Sequence, residues 1–282
     1  MKIPDIPNNV YSTLGESLCS PLSSFSLAKN SHYLYYFNKE FGNLRYDSSL
    51  YQNTQDNSKK FLSHLLDVSS FVGRYSSLSD KIVEIGCGKG GFFRLLSQQG
   101  FLNLSGFDAA YEGNDRRIRK RYFSDEDSGF GADVIIMRHT LEHIPSPFEF
   151  LKNIISINSN PNASIFIEVP CFDWIVGNQA WWDLTYEHCN YFTEDSFKNA
   201  FPSCVVEKVF EEQYLLVKAD VSDFVKSDCL SLSDTVEDGD IESLFSFFQS
   251  EDVSIRNLSF CDESISHGRY WVWGCATKGV LL

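Results

Sequence analysis

The stretch Lys81-Ile-Val-Glu-Ile-Gly-Cys-Gly-Lys-Gly-Gly91, followed by Gly106-Phe-Asp108, decides the fold of this chain. An apolar segment with the pattern of a buried strand runs into three glycines at alternating positions, which is typical of a tight turn that lets a ligand approach the backbone. Asp108 follows Gly90 by 18 residues, the interval expected for the tip of the next strand. A carboxylate there can accept both hydroxyls of a ribose, so the pattern predicts an adenosine site.

Two details narrow the ligand. The turn lacks the Gly-Lys-Ser/Thr of nucleoside triphosphate sites, and Glu84 lies in the strand just before the glycines, where a carboxylate suits a cationic ligand. The glycine turn alone would also fit a dinucleotide enzyme or an ordinary strand–helix turn, and Asp108 alone would fit a surface acid. Together they favour a cofactor with ribose hydroxyls and no phosphates.

Composition excludes several classes of partner. The chain has 282 residues, 43% of them hydrophobic and 15% aromatic, enough for one large domain with an appendage. Its formal net charge of -14 disfavours nucleic acid and anionic membranes as partners. No apolar run approaches the roughly 20 residues of a membrane helix, and we expect a cytoplasmic protein. The eight cysteines form no CxxC pair, so we predict no metal site.

The chain divides into three predicted parts. Residues 1–75 are expected to pack on the core, residues 76–220 to form the core, and residues 221–282 to form an acidic linker and the start of a further domain. Within the core the predicted strands are 81–85, 102–107, 133–137, 164–169, 204–210 and 214–218, and the predicted helices are 91–99, 147–157 and 194–200. This alternation predicts an α/β fold with a mostly parallel sheet and an antiparallel edge hairpin.

A second cluster of functional groups follows the predicted strand 164–169. The aromatic segment 181–193 contains Tyr186-Glu187-His188 and precedes a helix that Thr193 can cap. A histidine at the carboxyl edge of the sheet can remove a proton near neutral pH, and a neighbouring carboxylate can orient it. The alternative is a packed aromatic loop with a satisfied histidine. His139 and His143, after the predicted strand 133–137, could belong to a site or could simply cap or pack the loop.

The segments 83–90, 106–108 and 133–144 resemble the class I S-adenosylmethionine-dependent methyltransferases, which have a Rossmann-like sheet. The resemblance implies S-adenosylmethionine as the cofactor. It implies that Gly86 and Gly88 line the methionine and ribose portions and that Asp108 holds the ribose. It also implies an acid near the adenine. The residues expected to bind the cofactor are Glu84, Gly86, Gly88, Gly90, Asp108, Asp125, Arg138 and His139.

Residues 168–192, together with 138–143, resemble the sugar-nucleotide C-methyltransferases. That resemblance implies methylation at carbon of a nucleotide-linked ketosugar through an enolate, with His188 as base and Tyr186 and Glu187 assisting. The N-terminal cysteines that bind zinc in that family are missing, and residues 221–282 match only the opening of its last Rossmann-like domain. O- or N-methylation of another small molecule, or a non-catalytic S-adenosylmethionine-binding protein, remain as alternatives.

Overall fold

The computed structural model describes residues 2–5, 13, 19, 21–42, 58–225 and 235–236. The predicted linker and start of a further domain at 221–282 lie outside these residues, apart from 221–225 and 235–236. The described strands are β1 (Lys2–Pro4), β2 (Leu22–Ser24), β3 (Leu27–Asn30), β4 (Tyr36–Asn38), β5 (Ile82–Ile85), β6 (Leu104–Phe107), β7 (Ile118–Arg119), β8 (Val134–Arg138), β9 (Ser164–Pro170), β10 (Asn190–Tyr191), β11 (Val205–Val209), β12 (Tyr214–Asp220) and β13 (Thr235–Val236). The described helices are α1 (Lys59–Tyr75), α2 (Gly91–Gln98), α3 (Pro147–Asn158), α4 (Phe172–Gly177) and α5 (Glu194–Ala200).

A seven-stranded sheet in the order β11-β12-β9-β8-β5-β6-β7 forms the centre of the fold. The five strands from β9 to β7 in this order run parallel to one another. Strand β12 runs antiparallel to β9, and β11 runs antiparallel to β12. The predicted α/β sheet with an edge hairpin is therefore confirmed. The hairpin strand β11 ends one residue earlier than predicted, because Phe210, Glu211 and Glu212 adopt positive φ angles in the turn.

Alternate side chains along the strands lie on opposite faces of the sheet and contribute to two separate hydrophobic cores. Val134 and Ile136 of β8 pack with α1 and α2 on one face, whereas Ile135 and Met137 pack with α3 on the other. This alternation follows from the two-residue period of a strand, and it is why both faces of the sheet need helices. None of the helices within the described ranges combines the length and apolarity that a bilayer crossing requires.

Helix α1 runs for 17 residues at the end of the segment 1–75 that was predicted to pack on the core. Ser58 caps it by accepting a hydrogen bond from the backbone N–H of Phe61 (3.3 Å), and the helix continues to Tyr75. Its apolar residues Val68, Phe71 and Val72 are buried at helical spacing against the sheet. Helix α1 is therefore one of the helices that cover the central sheet, and it brings His64 towards the end of β9.

A second, antiparallel sheet in the order β10-β4-β3-β13 was not predicted from the sequence. It pairs Asn190 and Tyr191 with Phe37 and Tyr36, which joins the N-terminal strands to the aromatic segment at 181–193. Asn38 then fixes the following turn, since its Oδ1 accepts hydrogen bonds from the backbone N–H groups of Ser26 (2.9 Å) and Glu40 (3.1 Å). The turn at 40–42 is thereby held beside the carboxyl edge of the central sheet.

Candidate functional site

A cavity of about 530 Å³ opens at the carboxyl ends of β5, β6 and β8. Its size lies in the range of small-molecule sites, and its place at the carboxyl edge is where α/β sheets bind ligands. The described residues that line it are Phe41, Gly42, Ile85, Gly86, Phe107, Asp108, Ala109, Ala110, Tyr122, Phe123, His139, Thr140, His143, Ile144 and Phe150. The glycine turn, Asp108 and His139, which were predicted from separate motifs, therefore share one cavity.

The glycine turn is required by both conformation and space. Gly86 has φ 75° and its backbone N–H donates to the carbonyl of Phe107 (2.8 Å), and a Cβ at this position would collide with the hydroxyl of Thr140. Gly90 has φ 73° and caps α2, and a Cβ there would lie 2.7 Å from Cδ1 of Ile118. At both positions a side chain would combine a strained positive φ with a steric clash, so only glycine fits.

Asp108 holds the glycine turn from the tip of β6. Its Oδ2 accepts a hydrogen bond from the N–H of Gly88 (2.8 Å), and its Oδ1 accepts one from the N–H of Ala110 (2.8 Å). Each carboxylate oxygen has a second lone pair, and the half-buried side chain lines the cavity. Asp108 is thus rigidly positioned and can still accept hydroxyl groups of a ligand.

Glu84 is buried on β5 without full hydrogen bonding. Its side chain is 3% exposed, and its Oε2 meets no hydrogen-bond donor in the part of the chain that the structure describes. Burial raises the pKa of Glu84 to about 7, an effect that Arg138 opposes and Asp108 reinforces. A buried carboxylate that lacks a donor is costly unless a ligand supplies one.

Glu168, at the end of β9, is the centre of a buried ionic network. Its fully buried carboxylate contacts Nε2 of His64 (2.5 Å) and Nε of Arg138 (2.5 Å), and Nε2 of His139 lies 3.5 Å away. Burial alone would raise the pKa of Glu168, but Arg138 and His139 hold it well below its usual value. The predicted cofactor ligand Arg138 is therefore engaged with Glu168, and its guanidinium also stacks on Phe92 at 4.5 Å.

His139 reaches the cavity wall through a left-handed backbone. Its φ is 48°, and its backbone N–H donates to the carbonyl of Glu168 (2.8 Å). Burial lowers the pKa of the ring, but Glu168 and Glu142 outweigh this effect and raise the pKa to about 9. A non-glycine residue in this region is a strained feature that often occurs at functional sites.

Glu142, His143 and His188 form a second cluster behind the cavity wall. The 3-10 helix Leu141–His143 carries the first two, and the ring of His143 lies 4.8 Å from the ring of His188, edge to face. Neither oxygen of the buried Glu142 carboxylate, nor Nδ1 of His188, has a hydrogen-bond partner among the described residues. Burial, followed by the influence of His143, lowers the pKa of His188 to about 3.

The three consecutive residues predicted as catalytic occupy different environments. The hydroxyl of Tyr186 accepts a hydrogen bond from the N–H of Gly42 (2.7 Å) and donates to the carbonyl of Glu40 (3.2 Å). Glu187 is buried, and its carbonyl accepts a hydrogen bond from Nδ1 of His143 (2.9 Å). His188 contacts His143 rather than lining the cavity itself.

Asp125, the predicted adenine contact, is exposed at the start of the 3-10 helix Asp125–Asp127. Tyr122 and Phe123, just before it, line the cavity, while Asp125 is not among the described lining residues. Gly88 and Gly90 belong to the same turn as Gly86 but are not among the described residues that line the cavity. The structure thus brings the aromatic residues of this loop, rather than its acids, to the cavity.

Sequence reasoning missed Glu168 and His64, and it gave Glu142 no role. The pairing of β8 with β9 places Arg138 beside Glu168, so two charged residues at matching ends of neighbouring parallel strands were the available signal. His64 gave no such signal, because its contact with Glu168 spans 104 residues of sequence.

We predict that Glu168→Gln destabilises the protein by about 3–5 kcal/mol at pH 7, because Arg138 and His139 would lose their buried counter-charge. Urea unfolding measures the change. The difference from wild type should shrink as pH falls below 4.5, the ordinary glutamate pKa, because the stability that a lowered pKa contributes is complete above 4.5 and is lost progressively as pH falls towards the lowered pKa. Glu207→Gln, which breaks the exposed pair with Arg74, is the control and should cost less than about 1 kcal/mol. Equal losses in the two variants would contradict a buried network.

We predict that Glu84→Gln stabilises the ligand-free protein at pH 8 but hardly at pH 5. A folded pKa raised to about 7 gives stability that is complete below 4.5 and is lost as pH rises through about 7. Glutamine removes that loss, which amounts to roughly 3 kcal/mol at most. The exposed Glu126→Gln is the control and should change stability by less than about 0.5 kcal/mol at both pH values. A pH-independent effect of Glu84→Gln would refute the raised pKa.

Comparison with known proteins gives the family. The profile of the Methyltransferase domain family (Methyltransf_23) matches residues 54–203, more than half of the chain. A comparison with curated proteins found no significant match. Solved structures that resemble the chain include the PH0226 protein from Pyrococcus horikoshii OT3, with 17% identity, a TM-score of 0.42 and coverage of 59% of this chain and 94% of that one. A SAM-dependent methyltransferase from Archaeoglobus fulgidus has 15% identity, a TM-score of 0.44 and coverage of 58% and 95%. Because the family profile spans this much of it, the chain belongs to the S-adenosylmethionine-dependent methyltransferases.

Proposed function

We propose that the enzyme methylates a small molecule that becomes a nucleophile by losing a proton, and that this acceptor binds beside His139, Thr140 and His143. The observation that carries the proposal is the layout of the cavity. Gly86 and Asp108 line it on one side, and His143 lines it on another, with Glu142 and His188 directly behind His143. Cofactor groups and proton-transfer groups therefore face a common space.

The residues around the glycine turn fit S-adenosylmethionine, which supplies an electrophilic methyl group when bound. We propose that Asp108 accepts the ribose hydroxyls and that Glu84 compensates the positive charge. The support is the position of Asp108 in the cavity wall and the missing donor at Oε2 of Glu84. For the adenine we propose Phe123 and Tyr122 as apolar neighbours; Asp125, the contact predicted from the sequence, lies outside the described lining of the cavity.

For the acceptor we propose a nucleotide-linked ketosugar, on the resemblance of residues 168–192 to the sugar C-methyltransferases. Loss of the proton next to the ketone gives an enolate, whose carbon takes the methyl group. The described lining of the cavity contains neither lysine nor arginine. A diphosphate would therefore lie outside the described cavity, and only the sugar ring would enter it.

We propose that the proton leaves to His143, with His188, the base predicted from the sequence, as its positioning partner. The carbonyl of Glu187 can only accept, so Nδ1 of His143 donates to it, and Nε2 is the ring nitrogen that would take the proton. His188 packs edge to face on this ring and fixes its orientation. Tyr186 supports the site by holding the turn at Gly42.

A labelled-cofactor assay tests the acceptor class. The panel consists of nucleotide-linked ketosugars, the same sugars without the nucleotide, and simple phenols. We expect methyl transfer to a ketosugar and solvent deuterium exchange at the adjacent carbon. His143→Ala should lower turnover by about 100-fold or more while S-adenosylmethionine binding is retained. The exposed His32→Ala is the control. Transfer to phenols alone would establish O-methylation, and bound cofactor without any transfer would refute a small-molecule acceptor.

Asp108→Ala tests the cofactor site. Hydrogen bonds to a charged group contribute about 1.5–3 kcal/mol each, so loss of two ribose contacts should weaken S-adenosylmethionine binding by more than about 100-fold. Isothermal titration calorimetry measures the affinity. Asp67→Ala, an exposed acid on α1, serves as the control and should bind normally. Undiminished binding by Asp108→Ala would overturn this assignment.

A further inference from the structure

We propose that Glu142, His143 and His188 bind a divalent transition-metal cation at the inner wall of the cavity. One carboxylate oxygen and one imidazole nitrogen from each histidine all lie within 4.8 Å of one another. Two imidazoles and a carboxylate form a donor set that suits Zn²⁺ and Fe²⁺. The site departs from the sequence-based prediction of no metal, which considered only cysteine spacing.

The strongest support is the unsatisfied state of two members. The Glu142 side chain is 1% exposed, and neither of its oxygens accepts a hydrogen bond from the described residues, although Nδ1 of His139 lies 3.4 Å from Oε1. Nδ1 of His188 is also buried and lacks a partner within the same residues. Burying such groups costs several kcal/mol. A cation between them would satisfy both.

His143 has the second hydrogen bond that is typical of a metal-bound histidine. Its Nδ1 donates to the carbonyl of Glu187 (2.9 Å), which fixes the ring and turns Nε2 into the donor atom. The turn that carries Glu142 and His143 is also braced. Nδ2 of Asn190 donates to the carbonyls of Leu141 (3.0 Å) and Ile144 (2.6 Å) at its two ends.

The cluster must close slightly around a cation. Tetrahedral Zn²⁺ with bonds of about 2.1 Å needs donor atoms about 3.4 Å apart, and here the donor atoms lie within 4.8 Å of one another. Rotation of the Glu142 and His188 side chains around the fixed ring of His143 would supply a change of this size without moving the braced turn. Because His143 lines the cavity, the open coordination positions would face the acceptor, and the cation would hold an acceptor oxygen.

This site does not require the acceptor to be a sugar. In the cation-loaded protein the histidines would act as ligands rather than as proton acceptors, and the proton would pass to a hydroxide held at an open position of the cation. A cation that binds an acceptor oxygen favours loss of the neighbouring proton by stabilising the negative charge that remains. Methyl transfer that stops on treatment with a chelator and returns with added metal distinguishes this route from a histidine base.

Direct metal binding tests the proposal in the full chain without any acceptor. The protein is stripped with a chelator and titrated with Co²⁺, and binding is followed by calorimetry and visible absorption. We expect one Co²⁺ per chain. Glu142→Gln and His188→Ala should each weaken Co²⁺ binding by more than about 100-fold, beyond the loss caused by removing an outer-shell partner. S-adenosylmethionine binding, measured on the same variants, shows that they are folded.

His32→Ala, which removes an exposed histidine, is the matched control and should bind Co²⁺ like the wild type. Absence of Co²⁺ binding in the wild type, or binding that both cluster variants retain, would overturn the metal site. The two proposals fail separately. Intact, cluster-dependent Co²⁺ binding together with no methyl transfer to any small molecule would refute the proposed function while supporting the cation site.

Discussion

The buried carboxylate of Glu168 is the constraint on which the site depends. It joins His64 of α1, Arg138 at the end of β8 and its own strand β9, at a point with no exposure to solvent. A charge buried to this depth tolerates little displacement of its partners, because each lost contact leaves an ion without compensation. The backbone N–H of His139 donates to the carbonyl of Glu168, so the start of the loop that continues to His143 is fixed.

Three of the four glutamates that are buried among the described residues divide into two kinds. Glu168 has its partners within the protein, and its pKa is held low. Glu84 and Glu142 instead retain oxygens without a donor among the described residues, and both lie next to residues that line the cavity. Glu84 and Glu142 therefore lower the stability of the ligand-free protein, whereas the paired Glu168 carboxylate does not. This distribution is what a binding site requires, since a ligand gains most from groups that the fold leaves unsatisfied.

The parts of the fold that follow from local pattern were predictable. The strands β5, β8 and β9 are apolar runs between turns, and the glycine turn has a conformation that no other residue fits. The sheet of β3, β4 and β10 was not predictable, because strands of two to four residues carry no periodicity and pair across about 150 residues of sequence. The same limit applies to the site. Adjacency in sequence suggested that Tyr186, Glu187 and His188 act together, but because the backbone here is irregular, the three residues lie in different environments.

Tyr186 shows how a residue of the expected motif can shape the site without acting on the acceptor. Its hydroxyl is used twice by the backbone of Glu40 and Gly42, so the ring cannot swing into the cavity without releasing that turn. Phe41, between them, packs on the Tyr186 ring and lines the cavity. The N-terminal strands therefore contribute part of the cavity wall, and the aromatic segment positions that part. Under the proposed function, acceptor selectivity would depend on the match between two segments about 140 residues apart, neither of which belongs to the glycine turn.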